Sequence, residues 1–324
     1  MFCTKCGTKL NNGSQFCSNC GAANGAPSFT TQQQQSAAPQ PQKKGKLPII
    51  AVAAVVVLVL IVAIVFLRQN TASNAIDFTV ELLDGNRVEI IGYTGSDEVL
   101  VIPQRIQGKV VYSIGDKAFE EKGLTQVTIP NSVISIGEFA FAYNQLTSVI
   151  IPNSVTTINA VAFGHNQLTK VRIPDSVTTI GLGAFAYNQL TSITIPNSVT
   201  IISEGVFYNN QLTSVTIPDS VTIIGELAFA FNELISVTIP NSVITIGNGV
   251  FYNNQLTSIT IPNNVTSIGE AAFAANELTN IIIPDSVITI DDEAFTENPL
   301  RSASVPRRTS VGNRAFGNAV VTRR

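Results

Sequence analysis

Residues 190–211 read LTSITIPNSVTIISEGVFYNNQ, and the same phrase returns with small changes along most of the chain. Ile-Pro or Val-Pro places proline at 130, 152, 174, 196, 218, 240, 262, 284 and 306, every step 22 residues. Phenylalanine recurs at 119, 141, 163, 185, 207, 229, 251, 273, 295 and 316, with only the last step one residue short. Leucine recurs at the same interval from Leu124 to Leu300. Self-similarity at a fixed period of this size marks an array of stacked coils.

Each position of the phrase has a physical reading. Leu190, Ile193 and Ile195 are expected to point inward, with Ser192 and Thr194 outward, by strand alternation. Pro196 ends the strand by removing a donor and fixing φ. Val199 and Ile202 form a second inward pair. Gly137, Gly181, Gly225, Gly247 and Gly269 share a column with Asn159, Ser203 and Asp291, so this corner is expected to adopt positive φ. The phenylalanines should plug the interior. An asparagine column from Asn144 to Asn298, turned inward, can satisfy backbone groups of adjacent coils. No coil can bury its own apolar face, so the coils must stack. The fold class is therefore mainly β, a solenoid of about ten coils over residues 114–320. Residues 75–113 depart from the repeat and read as its N-terminal cap. Within them, residues 77–92 alternate around Asp84-Gly85 as a hairpin does. The interval from Pro103 to Phe119 is five residues longer than the usual one.

The IP, IG and AF signatures resemble the BspA-type leucine-rich repeats of bacterial surface proteins, over roughly residues 75–320. The resemblance implies a curved solenoid with a parallel sheet on its concave side, and a role in adhesion. The N-terminal segments that depart from the repeat also resemble the cap of that family.

The N-terminal quarter is of another kind. Leu47 to Leu67 reads LPIIAVAAVVVLVLIVAIVFL, without a charged or polar side chain. As a helix these residues span about 31 Å, enough to cross a hydrocarbon core. Lys43, Lys44 and Lys46 precede it and only Arg68 follows closely. The positive-inside bias therefore predicts a single-pass membrane protein with a cytoplasmic N-terminus and extracellular repeats, touching lipid through residues 43–68. Residues 23–46, rich in Gln, Pro, Ala and Ser, form a linker with nothing to bury. Residues 3–21, CTKCGTKLNNGSQFCSNCG, place Cys3, Cys6, Cys17 and Cys20 in a C-x2-C-x10-C-x2-C pattern. Two such turns supply four thiolates for tetrahedral Zn²⁺, and a reducing cytoplasm disfavours the alternative of disulfides. Residues 1–22 resemble the short zinc ribbons that begin many prokaryotic membrane proteins. The implied zinc is structural, and the ribbon's partner is an unidentified cytoplasmic protein.

Composition narrows the function. All 4 cysteines of the 324 residues lie before residue 21, and there is 1 histidine, His165. A histidine-based triad or metal centre in the repeats would have to rest on that single ring. Residues 69–300 hold 7 basic and 22 acidic side chains, a net −15, so nucleic acid is not an expected partner. The chain reads as a non-enzyme. Two surfaces are candidates for ligand contact. One is the Ser/Thr face of the strands, which Lys170, Arg172, Ile150 and Ile282 interrupt. The other is aromatic: Tyr143, His165, Tyr187 and Phe231 lie two residues after the Phe column, and Tyr208 and Tyr252 one residue after it. Surface aromatics are enriched at contacts with proteins and sugars. The expected function is a membrane-anchored surface protein binding an extracellular protein or polysaccharide. The alternative is a transmembrane sensor or scaffold coupling the solenoid to the zinc ribbon.

The zinc reading has a direct check. The purified chain should carry one Zn²⁺, released by chelator at neutral pH, and Cys3→Ser with Cys17→Ser should abolish binding without shifting the melting of the repeats. A chain free of zinc as isolated, and unable to take it up when reduced, would contradict it.

Overall fold

The computed structural model describes residues 74–324. The cysteine quartet, the linker and the apolar segment 47–67 lie outside the described residues. Among the described residues no helix is long and apolar enough to cross a membrane.

The described chain is a mainly-β solenoid of about eleven turns. Each turn has three sides. The first is a short parallel strand of the Ser-Val-Thr phrase, such as Ser148–Ile150, Lys170–Arg172 or Ser192–Thr194. Its register is a full repeat, with Lys170 opposite Ser148 and Ser192 opposite Ser214. Proline then opens a turn in which its carbonyl accepts the N–H of the valine three residues on, as in Val199 N to Pro196 O at 3.0 Å. The second side is a two-residue parallel ladder, such as Thr157–Ile158 against Thr179–Ile180. Leu190, Ile193, Ile195, Val199 and Ile202 are buried, and Ser192 and Thr194 are exposed, as alternation requires.

The third side carries no strand and crosses by a chain of turns around the phenylalanine. The residues two before and two after each Phe from Phe119 to Phe295 adopt positive φ, including Val161 at 53° and Leu227 at 54°. Left-handed backbone costs an L-residue roughly 1–2 kcal/mol. Nearly every such residue turns its N–H to the next coil in return: Val161 N reaches Leu182 O at 2.8 Å and Tyr187 N reaches Tyr208 O at 2.9 Å. The expected positive φ at Gly137, Gly181, Gly225, Gly247 and Gly269 is thereby corrected, since none of these has it. Space decides that column. A Cβ on Gly181 would lie 2.5 Å from Ala160 N, and one on Gly137 2.5 Å from Gly115 C. Where Asn159 and Ser203 stand in the column, their side chains donate back to Ile136 O and Ile180 O.

The core is a stack. Ten phenylalanines from Phe119 to Phe316 follow one another with ring centroids 5.1 to 6.0 Å apart and nearly parallel planes. Beside it runs the asparagine column. Asn254 Nδ2 donates to Phe229 O of the preceding coil and Phe251 O of its own, while its Oδ1 accepts Leu234 N at 3.0 Å. Asn144 through Asn298 repeat this pattern. A second link comes after proline: the hydroxyls of Ser154, Ser176 and Ser220 donate to Val133 O, Val155 O and Val199 O.

Both ends are finished differently. Strands β1 (Phe78–Leu82) and β2 (Arg87–Tyr93) form the expected antiparallel hairpin, its turn held by Asp84 Oδ1 accepting Asn86 N and Arg87 N. Strand β3 (Val99–Val101) starts the first parallel ladder. The longer interval before Phe119 holds a second hairpin, β4 (Arg105–Ile106) with β5 (Lys109–Ile114), through Gln107 and Gly108 at positive φ. Phe78 and Tyr93 close the Phe column at 5.1 to 6.2 Å. At the other end Arg324 turns back, pairing with Asp285 at 2.7 Å and donating to Ile283 O.

One step of the stack is looser than the rest. Lys170–Arg172 has no ladder to Ser192–Thr194, and Thr179–Ile180 has none to Ile201–Ile202. The Phe185 to Phe207 spacing at this step is 6.0 Å, the widest in the column. The turn side runs through it unbroken, as in Phe185 N to Val206 O at 3.0 Å, and the hydroxyl of Ser198 still donates to Val177 O. The first ladder lapses again between Ser214–Thr216 and Asn280–Ile282, but there the second ladder continues.

Phe251→Ala empties a fully buried site in the middle of the stack. It should cost about 3–5 kcal/mol. Because each coil contacts only its neighbours, hydrogen exchange should accelerate first in the flanking coils. A loss below 1 kcal/mol would show that the column does not carry the packing.

Candidate functional site

The aromatic candidates prove to be one continuous object. Tyr143, His165, Tyr187 and Phe231 occupy the left-handed position two residues after the Phe column, with φ of 54 to 56°. That conformation swings the side chain out of the coil while the N–H bonds to the next. Tyr208 and Tyr252 precede left-handed Asn209 and Asn253 instead, yet their rings fall into the same line. Tyr143 stacks on His165 with centroids 4.3 Å apart, and His165 stacks on Tyr187 at 4.3 Å. From there the geometry changes to edge-on. Tyr187–Tyr208, Tyr208–Phe231 and Phe231–Tyr252 each stand at 5.3 Å with planes 62 to 66° apart. Six rings thus form an unbroken ladder across six coils. Edge-to-face and offset-stacked pairs are the two favoured arrangements of aromatic quadrupoles.

The ladder is half in solvent. Tyr143 is 44%, Tyr187 42% and Phe231 37% exposed. His165, Tyr208 and Tyr252 are partly covered by their neighbours. Burial holds the His165 imidazole below its ordinary value. It raises the Tyr208 phenol, with neighbouring Tyr187 adding to the effect. Both shifts favour the neutral forms of His165 and Tyr208.

The hydroxyl face is equally regular. Ser148, Ser192, Ser214, Ser236 and Ser258 and Thr194, Thr216, Thr238 and Thr260 are all exposed. Asp175, Asp219 and Asp285 lie exposed after proline, as expected of solvated turns. Among the described residues no group of three or more His, Cys, Asp or Glu side chains converges on a point.

With this geometry in place the relatives can be compared. The model of the BspA type leucine rich repeat region, built of 6 copies, matches residues 112–235 and 200–322. The chain belongs to this family. Residues 2–24 match a zinc-ribbon domain. A leucine-rich repeat protein from Bacteroides ovatus is 27% identical, with 77% of this chain and 68% of that one covered and a TM-score of 0.66. A leucine rich cell surface protein from Faecalibacterium prausnitzii is 24% identical over 78% of this chain and 98% of that one, with a TM-score of 0.43. No curated protein matches. BspA-type repeat proteins are typically found at the cell surface, and leucine-rich-repeat solenoids are generally binding scaffolds rather than enzymes. Here the BspA-type coil supplies the turn geometry that lines up the rings.

His165 gives the ladder a spectroscopic handle, being the 1 histidine of the chain. Its midpoint should lie below the ordinary imidazole value of about 6.5. The sign follows: protonation is disfavoured in the folded state, so the ladder is at full stability above that value. Stability falls as pH drops below it, until the folded midpoint is passed. An NMR titration of the imidazole checks the midpoint, and His165→Tyr should remove this pH dependence of melting. A midpoint at or above 6.5 would contradict the stacked geometry.

Proposed function

We propose that the protein is a membrane-anchored cell-surface protein whose solenoid binds an extracellular protein or polysaccharide through the aromatic ladder. The observation that carries this reading is the ladder itself: six adjacent rings, half exposed, on an otherwise hydroxylic and acidic surface. Flat rings give a ligand apolar area at low cost in conformational entropy, and the face of a sugar ring or an apolar side chain fits them. The coils are nearly interchangeable, so affinity arises from summing weak, similar contacts along the array. Family membership supports the surface location. The apolar segment 47–67 is the anchor in this reading, oriented by Lys43, Lys44 and Lys46, and Cys3, Cys6, Cys17 and Cys20 hold a structural zinc on the cytoplasmic side.

Two measurements test it together. Protease added to intact cells should digest the repeats and spare a tag at the N-terminus; protected repeats would overturn the orientation. On an array of glycans and surface proteins, the chain with Tyr143, Tyr187, Tyr208, Phe231 and Tyr252 changed to Ser should lose its ligand while keeping a cooperative melt. Unchanged binding by that variant would make the ladder a structural brace and nothing more.

A further inference from the structure

The loose step between the coils of Lys170–Arg172 and Ser192–Thr194 coincides with a break in the chemistry of the surface. The two outward columns of the strand face run from Gln126 to Ser302 and from Thr128 to Ser304. Neither contains an acid, although the repeats as a whole are strongly acidic. Their sole cations are Lys170 and Arg172, which sit on one strand, side by side and exposed. Among the described residues neither makes an ion pair; Arg172 reaches only Asn153 Oδ1, at 3.4 Å. In these acid-free columns the two charges have no carboxylate partner to explain them.

A groove of about 440 Å³ opens beside them, lined by Lys170, Arg172, Asp175, Ser192, Thr194 and Pro196. It lies where both ladders are interrupted, so two strand edges face each other without bonding. A larger groove further along the same face, about 750 Å³, also holds a cation, Arg324, but that one is neutralised by Asp285 at 2.7 Å. The groove at the loose step is therefore the one of the two with a net positive lining, two unpaired cations against the single carboxylate of Asp175.

We infer that this groove binds an anionic polysaccharide, with Lys170 and Arg172 holding a carboxylate or sulfate and Ser192, Thr194 and Asp175 bonding to sugar hydroxyls. The choice of a glycan over an acidic peptide rests on charge. Asp175 and the acidic turns repel a densely anionic chain, whereas a polymer whose charges are spaced by neutral sugars places each one at the cations and its hydroxyls elsewhere. Hydroxyls donate and accept, and the Asp175 carboxylate accepts only, which matches the polyol part of such a ligand. The arginine gives a two-pronged contact to a planar carboxylate, and the lysine a point charge. This site is separate from the aromatic ladder and stands or falls without it.

The test uses the purified chain in detergent, with hyaluronan, keratan sulfate, neutral dextran and a poly-glutamate peptide as probes. The variant is K170S with R172T, which installs the residues that the next coil carries at those positions, and its melting should match the parent. The inference expects hyaluronan or keratan sulfate to bind with an affinity that falls with salt, and the double variant to lose about tenfold or more. Hyaluronan preferred over keratan sulfate identifies a carboxylate ligand; the reverse identifies a sulfate. Arg172→Lys should retain part of the binding. Equal binding by parent and variant, binding of dextran as tight as the charged polymers, no binding of either charged polymer, or poly-glutamate bound more tightly than both would each overturn the inference.

Discussion

One amide side chain, repeated in every coil from Asn144 to Asn298, joins each turn of this solenoid to the one before. Its Nδ2 donates to the phenylalanine carbonyls of two successive coils, and its Oδ1 accepts the N–H of the leucine that opens its own repeat. These backbone groups lie at the point where the chain turns inward around the Phe plug, out of reach of water and of any strand. An unsatisfied buried donor or acceptor costs about 1–3 kcal/mol. Asparagine alone among short side chains carries a donor and an acceptor in one rigid plane, so it can serve both coils at once.

That solution frees the third side of the coil from being a strand. A turn-built side tolerates left-handed residues so long as each N–H finds the next coil, and nearly all do. Its side chains then point outward at fixed spacing. The aromatic ladder is the consequence: whatever residue occupies the left-handed position is presented to solvent once per coil. The strand side behaves differently. There the backbone bonds run between strands, the outward side chains form the Ser/Thr columns, and one lapse in pairing leaves the groove beside Lys170 and Arg172. The scaffold thus offers two kinds of surface, one set by turn conformation and one by strand alternation.

Much of this was legible in the sequence. The Phe and Asn columns could be assigned because a constant interval of 22 residues aligns them without ambiguity, and the hairpin around Asp84-Gly85 because alternation and turn chemistry coincide there. The left-handed positions were misplaced. Glycine at a corner invites a positive-φ reading, but Gly137 and Gly181 are needed for close approach of backbones. The true signal was weaker: Gly183, Gly205 and Gly249 two residues before the Phe, and Asn209 and Asn253 two after. It was masked by Val161, Leu227 and Tyr187, which endure the same conformation because bonds between coils hold it. The continuity of the aromatic ladder was hidden too, since Tyr208 and Tyr252 stand one residue out of column and only the fold brings their rings into line. The loose step has no local mark beyond Ser203 in the glycine column, where its hydroxyl takes Ile180 O.

The decisive measurement is hydrogen exchange, residue by residue, on Asn254→Ala. The substitution removes the partner of Leu234 N and leaves Phe229 O and Phe251 O without their amide donor. If the asparagine column is what couples coils, protection at Leu234 collapses and that of the coils on either side falls with it, while coils near Phe119 and Phe316 keep theirs. Unchanged protection at Leu234, or an equal loss along the whole array, would contradict the account.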